Sequence, residues 1–177
     1  MTSLMDQPDE LLDLVNSQDE VVGTIRREEI PSLEQTGKGY VRAVGVFIVN
    51  HEGKLWVPKR QVQKKIAPGG LDFSAAEHVG SGETYDAAAL RGLHEELTID
   101  AADAKLTLVG TIKPFAGLPY FHPVYTYPCD EVPHFSTDDF SSYAWLTPAE
   151  VKQKLQAGEP AKEVLLPAIR LLTEKEN

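Results

Sequence analysis

The stretch EHVGSGETYDAAALRGLHEELTI, residues 77–99, decides most of what the chain indicates about its fold. A Gly-rich segment at 80–82 leads to one acid, Glu83, and Thr84 can then cap a helix. Apolar residues follow at three- and four-residue spacing, as on the buried side of a helix. Arg91 lies one helical turn before Glu95, and Glu96 comes next. The sequence therefore predicts a helix that carries paired carboxylates beside one arginine.

Paired carboxylates of this kind favour a cation between them. Like charges raise each other's pKa unless a positive charge neutralises them. Arg91 supplies one such charge, and Mg²⁺ or Mn²⁺ would supply more through hard oxygen ligands. The alternative is a solvated helix face, the usual setting of exposed acids. The joint spacing of Glu83, Arg91, Glu95 and Glu96, placed at a loop-to-helix junction, favours the metal site.

This segment resembles the Nudix box, a pattern of glycines, glutamates and one arginine at fixed spacing. The residues in register with it are Glu83, Arg91, Leu93, Glu95, Glu96 and Ile99. Similarity outside the box, over roughly residues 10–172, is greatest to the Nudix branch near isopentenyl-diphosphate isomerase. The resemblance implies an α/β fold, an α/β/α sandwich with a mixed central sheet, here with an N-terminal hairpin.

The resemblance also implies a chemistry. Its members hydrolyse, with Mg²⁺, a diphosphate linked to another group, usually a nucleoside. It implies that Glu95 and Glu96 are metal ligands, that Arg91 orients the acids, and that Glu83 supports Arg91 or a metal. A small phosphorylated substrate and a Mg²⁺ or Mn²⁺ cofactor are therefore expected.

Three positions depart from the box, namely Glu77, Gly92 and Thr98. Gly92 stands where the family has a glutamate that usually binds metal. Three alternatives follow: the site is weak or silent, another acid takes over, or the reaction is not ordinary hydrolysis. Glu77 is the candidate replacement, as a catalytic residue and metal ligand, because it stands where the family has glycine. Asp138 and Asp139 are further candidates, with an ordinary turn as their alternative.

His78 is a candidate metal ligand, with a hydrogen-bonded loop histidine as the alternative. In the isomerases a histidine at the matching place binds metal, and a catalytic cysteine stands two residues earlier. Here Ala76 occupies the cysteine position. Isomerisation by that mechanism is therefore not expected.

A basic stretch and one further histidine are candidates for substrate binding. Lys59, Arg60 and Lys64 could grip the substrate's phosphates, with a solvated loop as the alternative. His122, in an aromatic strand, is a candidate for lining the substrate pocket.

The composition excludes several other classes of protein. The 177 residues carry a formal charge of -10, which argues against binding a nucleic acid polymer. No apolar run is long enough to span a membrane, and no signal peptide is visible, so a cytoplasmic location is expected. One cysteine, Cys129, agrees with a reducing compartment. We expect a frayed terminus at 1–9 and a single domain over 10–177, while a homodimer stays open.

The element pattern predicts a mixed sheet. A hairpin is expected at 11–15 and 21–25, a connector at 28–39 and a loop at 61–70. Further strands are expected at 41–49, 55–57, 105–115, 120–127 and 143–146. Helices are expected at 85–97, at 148–156 behind a Thr147 capping box, and from Pro160 to about Lys175. The function expected from all of this is metal-dependent hydrolysis, with a catalytically silent domain that binds a phosphate ligand as the alternative.

Overall fold

The chain builds a six-stranded mixed sheet with helices on both faces and a small hairpin at one side. The computed structural model describes residues 7–174, except for the side chain of Ala104. The strands are β1 Leu11–Val15, β2 Val21–Arg26, β3 Val41–Val49, β4 Leu55–Arg60, β5 Ala75–His78, β6 Thr107–Ile112, β7 Tyr120–Pro128 and β8 Phe140–Leu146. The helices are α1 Ile30–Thr36, α2 Tyr85–Leu97, α3 Pro148–Gln156 and α4 Leu165–Glu174, with short 3-10 segments at Arg27–Glu29 and Asp103–Lys105.

Strand β3 lies at the centre of the sheet. The strand order is β6-β7-β3-β4-β8, and β5 also pairs with β3. The β3–β7 pair is parallel and the other pairs are antiparallel. Most of β3 is buried and apolar, as a strand covered on both faces must be.

Each face of the sheet has its own core. Val44, Val46 and Ile48 face α2, where they pack with Leu93 and Leu97. The other face packs against α3 and α4 through a second cluster, which includes Phe47, Leu55, Val124, Val151, Leu165 and Ile169. The predicted α/β/α sandwich and the N-terminal β1–β2 hairpin are therefore confirmed.

Two predicted segments are wrong. The expected connector at 28–39 contains α1, in which Pro31 stands in the first turn and Ile30 and Leu33 are buried. Gly37 ends α1 at φ 61°. The helix is only seven residues long, so its apolar period was too short to recognise.

The last helix begins at Leu165, not at Pro160. Before it, Ala161 forms a parallel bridge with Leu71, the N–H of Lys162 donates to the Leu71 carbonyl at 3.1 Å, and residues 163–164 form a turn. A tertiary contact therefore uses the backbone that the local pattern assigned to a helix. The expected end near Lys175 lies outside the described residues.

Other boundaries differ in smaller ways. The strand expected at 105–115 is shortened to Thr107–Ile112, and the one expected at 143–146 begins earlier, at Phe140. Strand β5 was not predicted, since its sequence Ala-Ala-Glu-His is short and only half apolar.

Residues 7–9 form a turn, and the Pro8 carbonyl accepts from the N–H of Glu28 at 3.0 Å. The rest of the terminus expected to fray, residues 1–6, lies outside the described residues.

None of the helices within 7–174 combines the length and apolarity needed to cross a membrane.

Candidate active site

Helix α2 carries most of the box residues and is fixed at both ends. The Thr84 hydroxyl accepts from the N–H of Ala87 at 3.2 Å, which confirms the predicted N-cap. Thr98 ends the helix at φ 56°, and its N–H donates to the His94 carbonyl at 3.0 Å. Leu93 and Leu97 are buried in the core, so α2 turns its polar side towards β5 and the loop after it.

Arg91 is the centre of the ionic network. Its Nε and Nη2 donate to both carboxylate oxygens of Glu83, at 2.8 and 3.0 Å. Its Nη1 lies 3.3 Å from Oε2 of Glu77 and 3.3 Å from Oε2 of Glu95, and Nη2 donates to the His78 carbonyl at 2.8 Å. One guanidinium therefore fixes three acids and the end of β5, as only a planar fork of donors can.

Glu83 is held as an anion. Burial opposes its ionisation, but hydrogen bonds from Arg91 and from the Gly80 N–H outweigh that cost and lower its pKa. The Gly80 N–H donates to Oε2 of Glu83 at 2.9 Å, so this carboxylate also closes the loop between β5 and α2, which we call the box loop.

The side chain of Glu77 lies directly beside Gly92. A Cβ placed on Gly92 would come within 2.8 Å of Cγ of Glu77, closer than real Cβ contacts allow. The glycine therefore leaves the room that the Glu77 side chain occupies. The two departures from the box are therefore neighbours in space: the acid of β5, Glu77, lies next to Gly92, the position of α2 where the family has an acid.

Glu77 and Glu96 form a pair of desolvated carboxyls. Burial raises the pKa of Glu77 against the attraction of Arg91, and burial together with repulsion from Glu77 raises that of Glu96 well above its usual value. Oε2 of Glu96 accepts from the Ala76 N–H at 3.3 Å, whereas Oε1 is buried and has no hydrogen-bond partner among the described residues. An orphaned carboxylate oxygen beside a second buried acid fits the ligand chemistry of Mg²⁺ or Mn²⁺.

No group of three or more His, Cys, Asp or Glu side chains within 7–174 is arranged to hold a metal ion as the side chains now stand. The carboxylates of Glu77, Glu83 and Glu95 are each paired with Arg91 instead.

Both predicted histidines are neutral, and His122 is buried whereas His78, the neighbour of Glu77 in β5, is half-buried. Burial, and then the charges of Arg27 and Lys162, lower the pKa of His78 to about 3, and its Nε2 lies 3.4 Å from the Tyr120 hydroxyl. Burial and Lys162 lower the pKa of His122 to about 4. The His122 ring stacks on Phe73 at 5.3 Å between centroids, and its Nδ1 lacks a partner among the described residues.

The predicted basic residues are placed differently from one another. Arg60 is tied to Asp72 by an Nη1–Oδ2 contact of 2.6 Å and to the Ile66 carbonyl. Lys64 forms an ion pair with Asp139, so a predicted substrate-binding residue and a candidate acid of the site are bound to each other. Lys59 lies exposed on β4. The N–H of Asp138 donates to the Ser136 hydroxyl within the same turn.

A cavity of about 510 Å³ opens over the ionic network, and its lining includes Glu83, Arg91 and Glu95. A larger one of about 590 Å³ is lined by residues at the far end of β3, such as Val49 and Asn50, and by no residue of the box. We therefore place the candidate site beside the first cavity, although it is the smaller; Glu77 and Glu96 lie outside its lining, and Glu77 is linked to it through Arg91.

Sequence reasoning missed Lys162 and Asp72, which form an ion pair at 3.1 Å and come near His122 only through tertiary structure, since Phe73, next to Asp72, stacks on the His122 ring. It also missed Asp13, whose carboxylate accepts from the Ser81 hydroxyl at 2.9 Å and from the Gly82 N–H at 3.1 Å. The available signal was an acid between Leu12 and Leu14 in an apolar strand.

Comparison with known proteins agrees with this geometry. The family described as NUDIX domain matches residues 39–169. An uncharacterized Nudix hydrolase from Nostoc sp. is 40% identical over 92% of this chain and 95% of its own length. A Nudix hydrolase from Deinococcus radiodurans is 39% identical over 92% and 93%. A crystal structure of a D. radiodurans protein superimposes with a TM-score of 0.77 at 38% identity, covering 91% of this chain and 98% of that one.

The chain therefore belongs to the Nudix family, and its relatives support a hydrolase. The predicted likeness to the isomerase branch is also found, since an isopentenyl-diphosphate Delta-isomerase from Photorhabdus laumondii is 30% identical over 78% of this chain and 77% of its own.

Proposed function

We propose that this protein hydrolyses a nucleoside or small organic di- or triphosphate with the help of Mg²⁺ or Mn²⁺. The observation that carries the proposal is the position of Glu77, which fills the space beside Gly92 and stands next to Glu96. The site therefore keeps an acid at this place through Glu77, although α2 has glycine at position 92. We further propose a cytoplasmic location, on the single cysteine and the composition.

The side chains divide into ligands and supports. Glu96, Glu77 and Glu95 would hold the metal, the first through its unpartnered Oε1 and the other two by turning from their 3.3 Å contacts with Arg91. Glu83 and Arg91 stay paired and keep α2 in register with β5. His78 lies at the edge of this group and is neutral, as a metal ligand must be.

The metal, when bound, would neutralise the diphosphate and lower the pKa of an attacking water. The protein's own contribution is electrostatic and positional. Two carboxyls with raised pKa values gain most from a cation, since ionising them without one is costly. The low solvation of these two carboxyls strengthens the charge interactions that they make.

Isomerisation is not supported by the residues present. Ala76 stands at the position of the isomerases' cysteine, and the single cysteine, Cys129, contacts the Glu131 carbonyl at 3.6 Å instead. The acid next to Ala76 in the chain, Glu77, therefore has no cysteine thiol with which to share a proton.

The first test is phosphate or nucleotide release with and without Mg²⁺, on a panel that includes CDP, CTP, ADP-ribose and isopentenyl diphosphate. We expect metal-dependent release from at least one compound. Silence across the panel, together with ligand-induced thermal stabilisation, would favour the silent binding domain instead.

The second test asks whether Glu77 replaces the missing acid. Glu77→Gln should abolish metal-dependent turnover, while Glu52→Gln, an exposed acid in the β3–β4 turn, should leave it unchanged. Gly92→Glu alone should not raise the rate, because its Cβ would overlap Cγ of Glu77 at 2.8 Å. The double exchange Glu77→Gly with Gly92→Glu removes that overlap and should recover turnover. Full activity of Glu77→Gln would contradict the proposal.

A further inference from the structure

Asp72 is a nearly buried carboxylate shared by two cations. Its side chain is 4% exposed, and its Oδ2 lies 2.6 Å from Nη1 of Arg60 and 3.1 Å from Nζ of Lys162. Its Oδ1 accepts from the Phe73 N–H at 2.7 Å. One carboxylate balances one of the two positive charges, so the group carries an excess of about one unit.

Arg60 is the better anchored of the two cations. Its side chain is 12% exposed, and its Nε donates to the Ile66 carbonyl at 2.8 Å. Lys162 is 23% exposed and has only the Asp72 contact among the described ion pairs and side-chain hydrogen bonds. The ammonium of Lys162 can therefore move from Asp72 to another anion, because Asp72 would stay paired with Arg60.

The backbone holds Lys162 beside Leu71, the residue before Asp72. Ala161 bridges to Leu71, and the Lys162 N–H donates to the Leu71 carbonyl at 3.1 Å. Asp72, the partner of Lys162, precedes Phe73, whose ring stacks on that of His122 at 5.3 Å between centroids. Two residues before His122 in β7, the Tyr120 hydroxyl lies 3.4 Å from Nε2 of His78, the neighbour of Glu77 in β5. Arg91 pairs with the other box acids but has no ion pair with Glu96 among the described residues, so the two cations serve different parts of the acid cluster.

A charge pattern of this kind fits a metal-bound diphosphate. The unpartnered Oε1 of Glu96 suits the metal, and the surplus ammonium of Lys162 suits an oxygen of the phosphate. The imidazoles of His78 and His122, whose pKa values are lowered to about 3 and about 4, supply polar edges without adding charge.

We propose that Lys162 is a substrate-binding residue, which moves from Asp72 to a non-bridging oxygen of the substrate's diphosphate. This inference rests on the proposed function for the location of the substrate. Arg60 stays with Asp72 and keeps that carboxylate neutralised when Lys162 binds the phosphate.

The test uses methylenediphosphonate, which has a diphosphate unit without an organic group or a hydrolysable bridge. Its affinity is measured by calorimetry with Mg²⁺ for the wild type, Lys162→Met, Lys162→Arg and Lys154→Met. Lys162→Met keeps the aliphatic stem, and Asp72 keeps Arg60, so the fold should persist; a thermal melt checks this. Lys154 is a matched control, a lysine of α3 paired with Glu159 at 3.4 Å.

Loss of one charge-assisted hydrogen bond should weaken binding of methylenediphosphonate by roughly 10- to 100-fold in Lys162→Met. Lys162→Arg should recover most of it, and Lys154→Met should match the wild type. On a hydrolysed substrate, Lys162→Met should raise KM more than it lowers kcat.

Binding of methylenediphosphonate to Lys162→Met within twofold of the wild type would overturn the inference, since Lys162 would then serve Asp72 alone. If the wild type hydrolyses nothing but its binding depends on Lys162, the proposed function fails and the inference stands.

Discussion

Glu77 and Gly92 lie side by side, although 15 positions separate them in the chain. The exchange of residue types at these two positions already indicates that they are related. The exchange does not indicate where Glu96 lies relative to Glu77 and Gly92. Packing of β5 against α2 sets that, and it also buries the Glu96 carboxyl, whose pKa rises as a result.

The raised pKa of Glu96 predicts a pH dependence of stability. Between its ordinary value of 4.5 and the raised value, the folded chain binds more protons at Glu96 than the unfolded chain does. The stability due to Glu96 is therefore present below the ordinary pKa and is lost as pH rises through the folded one. Glu77, Asp72 and Lys162 are the charges that act on it most.

Urea unfolding without metal, from about pH 4.5 to 8, should show this for the wild type and Glu96→Gln. We expect the variant to gain in free energy of unfolding relative to the wild type as pH rises. Mg²⁺ should stabilise the wild type more than Glu96→Gln at the upper end. Parallel pH curves for the two proteins would contradict the assignment.

Helix α2 ends on a residue that suits its conformation poorly. Thr98 is the left-handed C-cap at φ 56°, where the family pattern has glycine. Although the residue departs from that pattern, the helix exit keeps the left-handed geometry and Thr98 adopts the strained backbone. The cap N–H bond to His94 and burial of Leu97 hold it there.

Replacing Thr98 with glycine should therefore stabilise the fold. A left-handed backbone costs an L-residue about 1–2 kcal/mol, and part of that gain is offset by the extra freedom of unfolded glycine. We expect Thr98→Gly to raise the free energy of unfolding by up to about 1 kcal/mol. Thr98→Ala is the control, because it keeps the Cβ; equal stability of the two variants would contradict this account.

At the scale of the whole molecule, the β1–β2 hairpin packs against the box loop and supports it. Strand β1 meets that loop through a Leu12–Gly80 bridge and a 2.9 Å bond from the Ser81 N–H to the Leu11 carbonyl. Asp13 adds its two side-chain contacts to the same loop. A second connection runs from Arg42 through Asp19, whose Oδ2 accepts from the Tyr85 hydroxyl at 2.8 Å. The hairpin thus fixes the start of α2 from outside the sheet.

Removal of the Asp13 carboxylate should loosen the box loop. Asp13→Ala leaves two polar donors without partners, which costs about 1–3 kcal/mol of stability. We expect faster hydrogen exchange at Ser81–Glu83 and a lower free energy of unfolding. Asp13→Asn keeps an acceptor and should lose less, and Asp9→Ala, at an exposed turn, should change neither. Unchanged exchange at Ser81–Glu83 in Asp13→Ala would contradict the supporting role of the hairpin.

Local signals predicted those parts of the fold that depend on neighbours in the chain. Thr84 and Thr147 cap α2 and α3 as expected, because an N-cap needs only a side chain and an N–H three residues on. The helix predicted over residues 160–164 was wrong, because Pro160 and Lys162 form backbone hydrogen bonds with Leu71, some 90 positions away. Strand β5 was missed for the same reason, since only pairing with β3 makes it a strand.

The sequence by itself determined the family, the helix that carries Arg91, Glu95 and Glu96, and the list of candidate acids, because all of these follow from residue types at fixed spacing. The tertiary structure alone decided which acids are buried together, that Glu77 occupies the space beside Gly92, and that the charge of Lys162 acts on Glu96. The physical reason is burial: the strength of a charge interaction depends on how much water surrounds it, and only packing of β5, α2 and the 160–164 segment removes that water.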